Sequence, residues 1–339
     1  MRKLVSLKDI AQRAGVSTAL VSYVLNDRRV NRVNKETAQK IKDIAGELNY
    51  NVNQLARSLK TNKTHTLGLI VSNIGNPFSA SLARIIENES ARLQYTTIFG
   101  SSDEDIYKFK NLVNTFVNRK VDGLLLSAPA GCEHIILNLQ QQGIPFVLLD
   151  RYFPAIKTSY IALDNFTASF EATGHFIATG RKRPAMIGYK TELFHLRERT
   201  RGFIEALKKH GISFSPDMLK LVDVGDKKTA IETAIKELLQ ADPGLDAILL
   251  GSNTIATGGL RYINKLTLKV PEDLAIISFD QAEMLDVFYS PITYVKQPLE
   301  EIGKLAIEAI LNQVANPDAI TTLNVKAELI VQESTGKKV

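Results

Sequence analysis

The run SLKDIAQRAGVSTALVSYVL, residues 6–25, decides how the rest of the chain is read. It divides into two short helices about a tight turn. Ser6 stands before the first and Ser17 before the second, and a serine in that place accepts from the free amides of a helix start. Ala14-Gly15-Val16 supplies the turn, with Gly15 free to take positive φ. Leu7, Ile10, Ala11 and Ala14 recur at i, i+3, i+4 and i+7, and Val16, Leu20, Val21 and Leu25 supply a facing stripe. Such a pair is a helix-turn-helix, whose second helix fits the major groove of DNA. An αα-hairpin inside any helical domain shows the same pattern, so the flanking sequence must decide between them.

That sequence is cationic. Residues 1–63 carry thirteen Lys and Arg against five Asp and Glu, whereas the other residues carry 29 against 31. The formal charge of +6 over 339 residues is therefore confined to the first fifth of the chain. A basic head on a near-neutral body suits a polyanion. After a polar turn at Asn26-Asp27-Arg28-Arg29, the spacing of Ile41, Ile44, Ala45 and Leu48 predicts a third helix over 35–48, closing a three-helix core. NQLARSL (53–59) reads as a short helix, marginal in water unless something holds it. TNKTHT (61–66) is the linker beyond.

From Leu67 apolar strands alternate with amphipathic helices: LGLIVS (67–72), TTIFGS (96–101), GLLLS (123–127) and FVLLD (146–150), with helices over 77–93, 105–119 and 133–142 between them. The rhythm restarts with YIAL (160–163), then AMIGY (185–189), LKLVDV (219–224), AILLG (247–251) and LAIISFD (274–280). Helices over 167–179, 198–210, 229–239 and 254–266 are interleaved. βαβ repetition predicts parallel sheets covered by helices, here two α/β lobes with a cleft between them. Ligands of such sheets lie beyond the strands' carboxyl ends, which singles out Ser72, Asp150, Asp164, Ser252 and Asp280.

Several chemistries find no support. There is no phosphate-cradling G-x-x-x-x-G-K-[ST] or G-x-G-x-x-G, and no G-x-S-x-G elbow. The five histidines lack zinc-ligand spacing and read as surface or helix-end imidazoles. Cys132 stands alone, so neither an internal disulfide nor a multi-cysteine metal site is possible. No cofactor, metal or membrane contact is expected, and without a secretory h-region or an apolar run of membrane length the expected location is cytoplasmic.

With LKDIAQRAGVS, VSYVLN, ELNYNVNQLARSLK, VDGLLLS, LDNFTASFEATGHFIATG, RTRGF and VPEDLAIISFDQ, the chain resembles the lactose/galactose repressor family of bacterial transcription regulators over essentially its full length. The resemblance implies a helix-turn-helix head over 1–51, a hinge helix and linker over 52–63, and an effector-binding, dimerising body over 64–339 of the periplasmic-binding-protein type, two Rossmann-like α/β subdomains. One subdomain is expected at about 64–160 plus 293–320, the other at about 161–292 plus 321–339. It implies a homodimer on a pseudo-palindromic operator, repression of a carbohydrate operon, and control by a sugar or sugar phosphate. A purine or other metabolite is the alternative effector.

Residue by residue, the resemblance places Ser6, Ser17, Thr18, Ala19, Ser22, Tyr23 and Asn26 at DNA. Asn53, Ala56, Arg57 and Leu59 fall in the hinge, where a leucine wedges into the minor groove. Tyr23 departs from the Arg or His frequent in relatives, and a phenol cannot make arginine's bidentate contact to guanine. For the effector, Asn76, Phe78, Asp150, Arg151, Arg199, Ser252 and Asp280 match ligand-contacting positions; carboxylates accept from hydroxyls and Arg offers a planar fork. Asn253 replaces the family's usual Asp, which loosens the carry-over at Ser252. Two other classes remain open from the residues alone: a sugar receptor feeding a transporter, and an α/β enzyme using Asp150 or Asp280 as base.

Overall fold

The central strands form where apolar runs are short, β-rich and buried on both faces, as parallel sheets require. The computed structural model describes residues 5–25, 33–48, 50, 63–223 and 227–336. It divides into two compact units, Met1–Thr64 and His65–Val339.

In the first unit α1 (Leu7–Ala14) is opened by a reciprocal capping box between Ser6 and Asp9 and closed by Gly15 at φ 72°. Ser17 Oγ accepts from the Leu20 amide at the start of α2 (Thr18–Leu25). Asn34 caps α3 (Lys35–Glu47). Ile10, Ala14, Val21, Val24, Ile41 and Ile44 make the core. The facing stripe of α2 is thus Val21 and Val24, with Leu20 and Leu25 only half-buried, a rotation from the expected face. So small a core supports only a marginally stable unit.

The second unit holds two six-stranded sheets. The first comprises β1 (Thr66–Val71), β2 (Thr96–Ser101), β3 (Gly123–Leu126), β4 (Phe146–Leu149), β5 (Tyr160–Leu163) and β11 (Thr322–Val325), in the order β11-β5-β4-β3-β1-β2, all parallel. The second comprises β6 (Pro184–Tyr189), β7 (Leu219–Val222), β8 (Ala247–Leu250), β9 (Ala275–Phe279), β10 (Thr293–Lys296) and β12 (Glu328–Ile330), in the order β12-β10-β9-β8-β6-β7, with only β12 antiparallel. Each sheet reverses direction of winding between its two earliest central strands, β1 and β3 in one, β6 and β8 in the other. Such a switch point opens a crevice at the carboxyl edge.

Two expectations about the lobes need correcting. YIAL lies in the first sheet between β4 and β11 instead of starting the second, with Thr322–Val325 pairing on its outer side. Conversely Thr293–Lys296 lies beside β9 in the second sheet, not in the first lobe. The chain therefore crosses between lobes near 164, 297 and 326, and the expected divisions at 160, 293 and 320 each shift by a strand. The cause is pairing: each of these strands completes a ladder with a neighbour already in place. Helix α12 (Leu299–Ala315) then covers the first sheet with Ile302, Ala306, Ile307 and Ile310.

The remaining helices are α4 (Pro77–Arg92), α5 (Ile106–Asn118), α6 (Glu133–Gln141), α7 (Asn165–Ala178), α8 (Phe194–Lys209), α9 (Lys227–Ala241), α10 (Asn253–Ile263) and α11 (Met284–Val287). The helix α8 begins four residues before the expected Glu198. It crosses α7 closely because Gly202 has no side chain: a Cβ there would run into the Phe166 carbonyl oxygen. Among the described residues no helix is long and apolar enough to cross a membrane.

Candidate functional site

The head presents its second helix outward. Thr18, Ala19 and Tyr23 are exposed on α2 and Ser22 is half-buried, a row at i, i+1, i+4, i+5 along one helix face. Ser6 and Ser17 already hold helix ends, so their hydroxyls fix the entry of each helix. Asn26, Asn53, Ala56, Arg57 and Leu59 lie outside the described residues.

In the body, strand ends of both lobes converge on a cavity of about 490 Å³. From the first lobe come Ser72 after β1, Glu104 after β2, and Asp150 and Arg151 after β4; Asn76 and Phe78 open α4. From the second come Tyr189 at the end of β6, Ser252 and Asn253 after β8, Asp280 after β9, Gln297 after β10, and His195 and Arg199 from α8. All seven expected effector residues therefore meet in one place. A larger cavity of about 770 Å³ shares Phe78, Asn253, Asp280 and Gln297 with it, but its own charged lining, Arg84, Glu283, Asp286, Lys296 and Glu300, is exposed to solvent. Buried charge, which constrains a ligand most, is concentrated in the smaller one.

Asp150 and Asp280 occupy equivalent ends, each the residue after the third strand in its sheet order, and both take left-handed backbone, φ 63° and 70°. Aspartate tolerates that conformation better than most residues. The turn throws each carboxylate across the strand ends toward Arg199. Arg199 is 4% exposed. Its Nε donates to Asn165 Oδ1 at 2.7 Å, its Nη1 donates to the Gly251 carbonyl at 2.9 Å and lies 3.8 Å from Asp280 Oδ2, and its plane rests 3.8 Å above the Phe279 ring. Asp280 Oδ1 also accepts from Gln297 Nε2 at 2.6 Å.

Arg151 is brought to the cavity as expected, but its fork is occupied. Nη1 and Nη2 each donate to Glu104 at 2.7 Å, while Asp150 stands 3.8 Å from Nε. Contacts also join the lobes: Asn253 Nδ2 donates to Asn76 Oδ1 at 2.8 Å, and His195 Nε2 lies 4.0 Å from Asp150 Oδ2. Asn76 at the same time caps α4 through the Phe78 amide. Ser252 caps α10 and donates to the Tyr189 hydroxyl at 3.2 Å. Phe78 is half-buried, so one face packs on the first-lobe core while it lines the cavity. Asp164 caps α7 through the Thr167 amide, whereas its neighbour Asn165 orients Arg199.

Sequence reasoning missed Glu104, Tyr189, His195 and Gln297. The strand-end rule reaches Tyr189, the last residue of β6, whereas Glu104 lies three residues past the end of β2. His195, read as a surface or helix-end imidazole, is in the first turn of α8 but 5% exposed.

Burial perturbs the pair that faces across the cleft. Asp150 is pushed up to about 6, first by burial, with Arg151 and Arg199 pulling down and Asp280 and Glu104 pushing up. His195 is held well below its ordinary value by burial and then by Arg151 and Arg199. Their contributions to stability slope in opposite directions. A raised carboxyl means the folded chain keeps a proton the unfolded chain loses, so its contribution is present below about pH 4 and is lost as pH rises to about 6. A depressed imidazole means the unfolded chain takes the proton first, so stability is lost as pH falls below about 6.5. We predict that wild type minus Asp150→Asn falls by on the order of 1–3 kcal/mol between pH 4 and 6. Wild type minus His195→Gln should fall as pH drops below about 6.5. Denaturation of the three proteins across pH 4–8 checks this; parallel profiles would contradict it.

An exposed-helix head joined in sequence to a two-lobed body with a polar, ligand-sized cleft defines a ligand-responsive regulator rather than a catalyst or a bare binding protein. Residues 6–53 match the family described as bacterial regulatory proteins, lacI family, and residues 64–333 match periplasmic binding proteins and sugar binding domain of LacI family. The chain belongs to the lacI family of bacterial regulatory proteins. It is 30% identical over 333 residues to the HTH-type transcriptional regulator RegA of Clostridium saccharobutylicum, covering 97% of this chain and 99% of that one. It is 30% identical over 332 residues to the ribose operon repressor of Haemophilus influenzae, covering 98% of each. In fold it resembles the crystal structure of the lac repressor dimer bound to operator and the anti-inducer ONPF, with TM-score 0.87 and 20% identity over 98% of this chain and 100% of that chain.

Proposed function

We propose that this protein is a cytoplasmic, homodimeric transcriptional repressor of a carbohydrate-utilisation operon, with operator affinity set by a sugar bound between the two lobes. Supporting the DNA half are the cationic head and the row of exposed Thr18, Ala19 and Tyr23 with half-buried Ser22, whose side chains reach base edges and phosphates from the start of the second helix. The effector half rests on one observation above the rest: buried carboxylates and a buried guanidinium from both lobes converge on a single cavity. Hydroxyl groups satisfy that set, donating to Asp150 and Asp280 while accepting from Arg199. The name of the ribose operon repressor among its relatives points the same way.

In this reading a ligand touching both lobes favours one lobe arrangement, and the two subunits of the dimer carry that choice to residues 52–63. Operator and sugar are then linked, each changing the other's affinity by the same factor. The test is selection from a pool of random duplexes by the full-length chain. Enrichment of a pseudo-palindromic site, bound less tightly as salt rises, is expected. No enrichment with or without sugars would overturn the proposal.

A further inference from the structure

We infer that Glu104 restricts the site to uncharged effectors, so that it takes a free sugar and excludes sugar phosphates and other anions. The inference rests on the proposed sugar-binding reading and narrows it.

Among the described residues the cavity is lined by two cations, Arg151 and Arg199, and by no lysine. Three carboxylates, Glu104, Asp150 and Asp280, face them. Arg151 gives both terminal nitrogens to Glu104 in the fork-to-fork geometry that carboxylates and phosphates share, so a phosphate would have to displace Glu104 to reach it. Arg199 is engaged by Asn165 and the Gly251 carbonyl and sits beside Asp280. At the starts of α4 and α10 part of the amide set is already committed. Pro77 has no amide hydrogen, and the amides of Phe78 and Ile255 are taken by Asn76 and Ser252.

Glu104 does not fall into place by default. Asp103 and Glu104 both take left-handed backbone, φ 52° and 62°, in a turn closed by the Asp105 amide on the Ser102 carbonyl. Successive positive-φ positions favour Gly, Asn and Asp, which suits Asp103 but not Glu104. Local strain of this kind persists where the surroundings over-determine it. What it secures is the carboxylate on Arg151.

What the cavity leaves open suits hydroxyls instead. His195 Nδ1 and Gln297 Oε1 are buried and lack a partner, on two residues that line it. A polyol offers each a hydroxyl, which both donates and accepts. A phosphate offers acceptor oxygens that Gln297 Oε1 cannot use.

The experiment is a thermal-shift and calorimetric comparison on the full chain with ribose, glucose and galactose, their monophosphates, and inorganic phosphate. A neutral sugar should raise the melting temperature and its monophosphate should not. Glu104→Gln and Glu104→Ala, at a partly exposed side chain, should raise affinity for the matching monophosphate by about tenfold or more, the worth of one charge-assisted bond. The neutral sugar's affinity should change much less. A monophosphate binding wild type as tightly as its parent sugar would overturn the inference, as would Glu104 variants that gain nothing for phosphate. If neither neutral nor phosphorylated sugars bind wild type or variants, the sugar reading falls and takes the inference with it.

Discussion

Arg199→Ala should abolish the response to effector and lower the stability of the body by about 3–5 kcal/mol, the usual consequence of removing one member of a buried charged pair. Alanine leaves Asp280 buried with Gln297 alone, strips Asn165 and the Gly251 carbonyl of their donor, and opens space above Phe279. In a unit of this size the melting temperature should fall by roughly 10 °C. Arg197 is the control, two positions away on α8. Its side chain is 64% exposed and pairs with the exposed Glu192, so Arg197→Ala should leave melting and effector binding unchanged. Calorimetry of both variants, with and without the sugar found for wild type, decides the matter. Equal effects would mean that Arg199 carries no special share of the site.

Removing residues 1–63 should have the largest effect on DNA and none on the effector. The body from His65 is compact by itself, and every residue of the cavity lies within it. The head holds the whole positive excess, and phosphate neutralisation supplies most of the affinity for any duplex. In the random-pool selection, residues 64–339 should therefore enrich nothing, while their sugar affinity matches that of the full chain. A truncated body that still enriches duplexes would place DNA recognition outside the head.

The sequence made the strands legible because parallel strands are apolar throughout. FVLLD, AILLG and LAIISFD have no other comfortable place, and their carboxyl ends pointed directly at Asp150, Ser252 and Asp280. Caps marked the helix starts at Ser6 and Ser17 for a local reason too, a side-chain oxygen beside free amides. Lobe membership was not legible. Whether Tyr160–Leu163 joins one sheet or the other depends on pairing with Thr322–Val325, far along the chain, and local periodicity carries no record of that partner. His195 escaped because Leu193 at the start of α8 offers no capping side chain, so the helix appeared to begin later and its first turn was overlooked. Glu104 escaped because its reach toward Arg151 depends on left-handed backbone at two residues that do not advertise it.

The lobes meet at few polar points, the Asn253–Asn76 hydrogen bond and the Asp150–His195 approach among them. A ligand lodged between Asp150 and Arg199 must alter these contacts, which gives it different affinities for different lobe arrangements, the requirement for any shift of equilibrium. The decisive measurement is therefore operator affinity of the full-length dimer titrated against sugar, together with sugar affinity titrated against operator. Both should change by one common factor of about 5–150, the usual range for coupled sites. If sugar binds and operator binds but neither alters the other's affinity, the body does not govern the head.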